Sequence, residues 1–189
     1  MKKRIILAVT GASGSLYARL LAAKLLSYEE AEISVITTDS GSAVMAFEDD
    51  DRWLDDGRLR RYDNRDLFSA PASGSARFDA MVIVPCSMGT AGRIASGVSA
   101  DLIGRAADVM LKERRTLILV PRELPWHTIH LRNLTALSEC GAVICPASPS
   151  FYSGPKTVEA VCETVTDRIV SLLGFDPGTE EWGAESSPE

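Results

Sequence analysis

Residues 4–14 read Arg-Ile-Ile-Leu-Ala-Val-Thr-Gly-Ala-Ser-Gly, and this stretch decides the fold. The apolar residues Ile5 to Val9 run without polar interruption, the pattern of a strand covered on both faces of a parallel sheet. Thr10-Gly11-Ala12-Ser13-Gly14 then imposes a tight turn. Residues 15–27 follow with Leu16, Leu20, Leu21, Leu25 and Leu26 on a broad helical face. Residues 32–38 (EISVITT) form the next strand and residues 41–47 a short helix. A strand, a helix and a second strand in so short a span make a βαβ unit.

Working outward, the alternation continues. Residues 80–84 (AMVIV), 116–120 (TLILV) and 142–145 (AVIC) are three more buried strands, and residues 90–96, 102–112 and 128–139 are helices. Val158, Val161, Cys162, Val165, Ile169, Leu172 and Leu173 recur at three- and four-residue spacing, which predicts a long final helix. Residues 48–65 (EDDDRWLDDGRLRRYDNR) are dense in both charges and read as a surface excursion with one helical turn. The predicted fold is a single-domain α/β protein: three layers (αβα) around a doubly wound parallel sheet, Rossmann- or flavodoxin-like, with right-handed crossovers. Residues 1–175 form the domain. Residues 176–189 form a loosely held tail rich in Gly, Glu and Ser, with Trp182 as its anchor. In such sheets ligands bind beyond the carboxyl ends of the strands, where the strand order reverses.

The 189 residues are 46% apolar and 24% charged, enough to bury a core. Twenty basic against 26 acidic side chains give a net charge of −6, which argues against a bulk electrostatic grip on nucleic acid or on an anionic membrane. No apolar run reaches the ~20 residues of a membrane span. Met1-Lys2-Lys3-Arg4 imitates the start of a signal peptide, but the apolar run behind it is shorter than the ~7–15 residues of a true one. Cys86, Cys140, Cys145 and Cys162 form no CxxC pair, and His127 and His130 are the only histidines. The expectation is reduced cysteines, no metal site and a cytoplasmic location.

The turns carry the chemistry. Gly11 to Gly14 brings backbone close to a ligand and aims a helix's free N–H groups at it; an ordinary glycine turn capped by Ser13 or Ser15 is the alternative. Pro85-Cys86-Ser87-Met88-Gly89-Thr90 is a second such turn, with Cys86 read as core packing and Ser87 and Thr90 as ligand contacts. Arg105, Lys112, Arg114, Arg115 and Arg122 lie so that at least three cations could converge near one sheet end as a phosphate clamp, or simply form a solvated face. Phe151-Tyr152 sits in a loop stiffened by Pro149 and Pro155, and Arg168 lies on the last helix. Ala95, Ala106 and Ala107 suggest small helix faces suited to packing between subunits.

These stretches together resemble the UbiX-type flavin prenyltransferases: TGASG at 10–14, VPCSMGT at 84–90, RAADVMLKERR at 105–115, VPRELP at 120–125, IHL at 129–131, and PSFY at 149–152 with Pro155. The resemblance covers most of residues 4–175 in the family's order. It implies transfer of a dimethylallyl group from dimethylallyl phosphate to N5 and C6 of reduced FMN, without a metal, making prenyl-FMN for UbiD-type decarboxylases. It implies that Gly11, Ala12, Ser13, Gly14, Thr38, Ser87, Met88, Gly89, Thr90 and Arg122 hold FMN. Arg105, Lys112, Arg122, Tyr152 and Arg168 hold the prenyl phosphate, and Ser13, Glu48, Lys112 and Glu123 are the catalytic set. A homo-oligomer, a dodecamer with pockets completed by neighbouring subunits, is implied as well.

Three rivals stand beside this. Flavin-dependent cysteine decarboxylases are similar in fold but typically carry an Asn in a PASANT-like loop, where this chain has Ser87-Met88-Gly89-Thr90. A non-catalytic FMN-binding protein would share the pocket. A nicotinamide oxidoreductase would use TGASG, Asp39 and a Tyr152…Lys156 pair; that pair needs a helical turn between its members, and Gly154-Pro155 breaks one.

Overall fold

In the computed structural model, which describes residues 2–48 and 50–179, β1 (Lys3–Val9) lies near the middle of a six-stranded, all-parallel sheet. Around it run β2 (Ala31–Thr37), β3 (Arg60–Asp63), β4 (Ala80–Cys86), β5 (Thr116–Pro121) and β6 (Val143–Ile144), in the order β3-β2-β1-β4-β5-β6. β1 pairs with β2 from Lys3↔Ala31 to Val9↔Thr37 and with β4 from Ile5↔Ala80 to Ala8↔Ile83. The order reverses between β1 and β4, as the doubly wound reading requires.

Among the described residues six α-helices cover the two faces: α1 (Ser15–Leu25), α2 (Asp39–Phe47), α3 (Met88–Ala95), α4 (Leu102–Lys112), α5 (Thr128–Glu139) and α6 (Val158–Leu172). The two-residue period of a strand explains why β1 must be apolar throughout. Ile5, Leu7 and Val9 pack on one side with Ala18, Leu21 and Leu25 of α1 and Val165 and Ile169 of α6. Ile6 and Ala8 pack on the other with Ala106 and Met110 of α4 and Leu134 of α5. β4 and β5 divide in the same way, Val82 and Ile118 to the first core, Ile83 and Leu119 to the second.

Three expectations change. Residues 48–65 contain the helical turn, at Arg52–Asp55, but also the edge strand β3, which pairs with β2 from Ser34↔Arg60 to Thr37↔Asp63. An edge strand needs no continuous apolar run, and its charged, exposed residues blunt it against further pairing. Ala106 and Ala107 are fully buried in their own chain's core, so they offer no face to a neighbour. The chain beyond α6 is held at its start: Phe175 stacks on Tyr28 with centroids 4.7 Å apart, and the Tyr28 hydroxyl donates to the Asp176 carbonyl at 2.6 Å. Trp182 lies outside the described residues, as does most of the predicted tail.

No helix among the described residues is long and apolar enough to cross a membrane. No three His, Cys, Asp or Glu side chains among them gather as a metal site would need.

Candidate active site at the sheet's switch point

α1 leaves β1 toward one face and α3 leaves β4 toward the other, opening a crevice at the carboxyl ends of the two strands. Thr10 closes its floor. Its buried hydroxyl donates to the Pro85 carbonyl at 2.8 Å and accepts the Ser87 N–H at 2.8 Å, tying the two ligand-facing turns together. Sequence reasoning treated Thr10 as part of a turn and missed this tie, which depends on knowing that β1 and β4 are neighbours.

Gly14 adopts φ 101°, a left-handed conformation that suits glycine, and gives α1 no side-chain cap of its own. Glu48 supplies one from the end of α2. The Gly14 N–H donates to Oε1 at 3.0 Å, and the Ser15 N–H and Oγ–H donate to Oε2 at 2.8 and 2.6 Å. Burial acts to raise the Glu48 pKa, but these bonds and one from the Ser13 hydroxyl outweigh it and hold the carboxyl below its ordinary 4.5. Glu48 therefore closes the N-terminus of α1 as an anion and steadies Ser13 at the crevice.

Gly11 is fixed by proximity: a Cβ there would come 2.5 Å from Ser40 Oγ, on the first turn of α2. Thr38 caps α2 by accepting the Gly41 N–H at 2.9 Å. On the facing turn Ser87 caps α3, accepting the Thr90 N–H at 3.3 Å with the two hydroxyls 3.0 Å apart. Met88 and Thr90 are buried and Gly89 is exposed. Burial pushes the Cys86 thiol up to about 12, which keeps it un-ionised and matches its reading as core.

Arg122 leaves the carboxyl end of β5, its N–H donating to the Cys86 carbonyl at 3.3 Å. Its Nε is buried without a hydrogen-bond partner. Beside it a cleft of about 540 Å³ is lined by Arg122, Glu123, Trp126 and residues 146–148. Glu123 is exposed, and its Oε1 accepts the Leu124 N–H at 3.1 Å. Arg168, exposed on α6, lies close enough to Cys145, just past β6, for its charge to reach the thiol. Exposed Tyr152 sits in the loop that the Ser150 N–H pins to Thr164 Oγ1 of α6 at 3.1 Å. No helix runs from Tyr152 to Lys156, so the oxidoreductase pair is not formed, and Asp39 is ion-paired to Arg65.

The clamp does not converge within one chain. Lys112 closes α4 just before β5 begins, so it sits at the amino edge of the sheet, where its ammonium pairs with Glu113 at 2.6 Å. β5 separates it from Arg122 by roughly 17 Å at about 3.3 Å per residue. Arg115, at the same edge, donates to the Gly74 carbonyl. Arg105 donates to the Ala72 carbonyl at 3.0 Å and to Asp108 at 2.7 Å, on the segment that packs over α4. The physical reason is topological: a helix that feeds a parallel strand ends at that strand's amino end.

A parallel sheet in this order, with N–H- and hydroxyl-lined turns at its switch point, defines a phosphorylated-ligand binder, and the family described as Flavoprotein matches residues 1–172. "Flavin prenyltransferase UbiX" of Methanocaldococcus jannaschii is 44% identical over 183 residues, spanning 95% of this chain and 98% of that one. Its namesake from Pseudomonas aeruginosa is 43% identical over 97% of this chain and 95% of its own. The crystal structure of AnUbiX in complex with FMN and dimethylallyl pyrophosphate overlays with a TM-score of 0.90 at 36% identity, covering 98% of this chain and all of that one. A dodecameric FMN-dependent UbiX-like decarboxylase from Escherichia coli O157:H7 overlays at 0.88 with 34% identity, covering 96% of this chain and all of its own. The chain belongs to the flavoprotein family of UbiX-type flavin prenyltransferases. With the FMN-dependent cysteine decarboxylase TvaF, 20% identical at a TM-score of 0.60, it shares the fold alone.

Proposed function

We propose that this chain transfers a dimethylallyl group from dimethylallyl phosphate to N5 and C6 of reduced FMN, and that the prenylated flavin goes to a UbiD-type decarboxylase. The observation that carries the reading is the Arg122 guanidinium, whose buried Nε has no partner at the mouth of a crevice walled by donor-rich turns. A buried donor without an acceptor costs about 1–3 kcal/mol, so a ligand acceptor is the natural complement. The close seat of Gly11 on Ser40 shows why the turn accepts no side chain in its place. The unpartnered Arg122 donor and the hydroxyl-lined turns suit a phosphorylated ligand such as FMN.

Gly11 to Gly14, Thr38 and Ser87 to Thr90 would hold FMN, with Arg122 beside it. Reduced FMN, when bound, supplies the nucleophilic N5 and C6 atoms. Arg122, Arg168 and the Tyr152 hydroxyl hold the prenyl phosphate and stabilise the negative charge that grows on it as the allylic carbon–oxygen bond lengthens. Glu123 passes a proton to the departing phosphate oxygen. Ser13 Oγ, on the turn that Glu48 closes, relays a proton on the flavin side. Arg105 and Lys112, remote from the crevice of their own chain, act on a neighbouring subunit's site in a dodecamer. The compartment in this reading is the cytoplasm, where thiols stay reduced.

Anaerobic incubation with reduced FMN and dimethylallyl phosphate, followed by mass spectrometry of the released flavin, tests the activity. A flavin heavier by one C5 prenyl unit is the expected product. Unmodified FMN from protein that is fully flavin-loaded would refute it and leave the binding-protein reading standing.

A further inference from the structure

Arg93 belongs to none of the sets above. It lies near the end of α3, exposed, and folds back one turn so that its Nη2 donates to Thr90 Oγ1 at 3.1 Å. Its Nη1 lies 3.7 Å from where a Cβ on Gly89 would sit. No carboxylate among the described residues pairs with it. A cation held against the first turn of a helix is opposed by that helix's positive end, so the arrangement is completed by an electron-rich acceptor at the same place.

The protons can be followed along the turn. Thr90 is buried at 3% exposure, and Ser87 Oγ, 3.0 Å away, is the acceptor within reach of its hydroxyl. Either hydroxyl can be the donor in this pair, and the Arg93 donor on Thr90 Oγ1 favours the arrangement in which Thr90 donates to Ser87. Ser87 Oγ already accepts the Thr90 N–H as well. In that arrangement the Ser87 proton has no other acceptor among the described residues and is available to a ligand at the turn. A chain of hydrogen bonds that starts on a guanidinium polarises each donor along it.

We infer that Arg93 fixes the donor polarity of the Ser87–Thr90 turn and thereby makes this chain hold reduced flavin more tightly than oxidised flavin. Reduction adds two electrons to the ring and raises the negative charge on its acceptor atoms, so a charge-backed hydroxyl donor gains on the reduced form. Arg93 is a positioning residue that acts through Thr90 and Ser87. The inference rests on the crevice being the FMN site.

The test uses the full-length protein and Arg93→Met, which keeps an apolar stem and removes the charge. Dissociation constants are measured for oxidised FMN, anaerobically reduced FMN and both forms of riboflavin, together with the reduction potential of the bound flavin. Arg93→Met is expected to weaken reduced FMN about tenfold and oxidised FMN hardly at all. The bound flavin's potential then falls by about 30 mV, the equivalent of a tenfold factor for a two-electron couple. Riboflavin should show the same asymmetry. Thr90→Val cuts the relay below Arg93, so the double variant should shift the potential no further than Thr90→Val alone. Equal weakening of both redox forms, no weakening, additive shifts in the double variant, or a loss seen with FMN and not with riboflavin would each overturn the inference; the last would make Arg93 a phosphate contact. Failure of the unmodified protein to bind FMN would instead remove the site reading beneath it.

Discussion

Glu48 shows how much a single carboxylate can be asked to do. It replaces the cap that Gly14 cannot supply, and its bonds to the Gly14 and Ser15 amides are charge-assisted and set against the positive end of α1. Glu48→Gln keeps the shape and loses the charge, so it should cost about 1 kcal/mol, the usual worth of a helix cap. The sign with pH follows from the lowered pKa. A carboxyl held below 4.5 in the folded state stabilises fully above that pH, and the contribution fades as pH falls through the folded-state value. Urea denaturation of wild type and Glu48→Gln should therefore differ at pH 7 and converge as the pH is taken down through the lowered folded-state value. A gap that persists unchanged in acid would mean that shape, and not charge, is what Glu48 contributes. Nothing local in the sequence announces the cap: Glu48 follows Ser15 by 33 residues, and only the folded path of α2 brings it back.

At the scale of elements, α2 lies so close over the end of β1 that glycine is required where they cross. A Cβ on Gly41 would come 2.6 Å from the Val9 carbonyl oxygen, a backbone atom that cannot turn aside. Gly41→Ala should lower the denaturation midpoint by the equivalent of about 1–3 kcal/mol, in spite of alanine's better helix propensity, and should weaken FMN binding as α2 lifts. Gly57→Ala, with nothing within 4 Å of its added methyl, is the control expected to change neither. What the sequence revealed and what it hid divide along a physical line. β1, β4 and β5 were legible because burial on both faces demands an unbroken apolar run. β3 was not: Arg60, Arg61 and Asp63 are exposed, and only Tyr62 turns partly inward. The turns at Gly11–Gly14 and Ser87–Thr90 could be found from local turn chemistry alone. The Thr10 tie and the Arg93 relay could not, since each depends on which elements end up adjacent.

For the whole molecule, the decisive fact is that the residues assigned to one phosphate lie at opposite ends of one sheet. The place of Lys112 at the close of the helix before β5 already puts it, by strand direction, at the amino edge of the sheet. Around the other end, Leu124 is 87% exposed, Tyr152 75% and Phe151 66%, an apolar rim that a single chain leaves in water. A closed assembly would cover such a rim and carry one subunit's Lys112 to the next subunit's Arg122. Lys112→Ala and Arg122→Ala should each abolish most prenyl transfer while folding normally, because each removes a charge-assisted contact worth about 1.5–3 kcal/mol. If Lys112 acts in trans, mixing the two inactive variants, dissociating and reassembling them should restore activity. With equal amounts and random mixing, a working site needs its own Arg122 and a neighbour's Lys112, each present half the time, so recovery should approach about one quarter of wild type. The flavin product is counted by mass spectrometry, and light scattering confirms that the mixed oligomer has formed. If reassembled hybrids of full size stay inactive, Lys112 does not serve a neighbour's site.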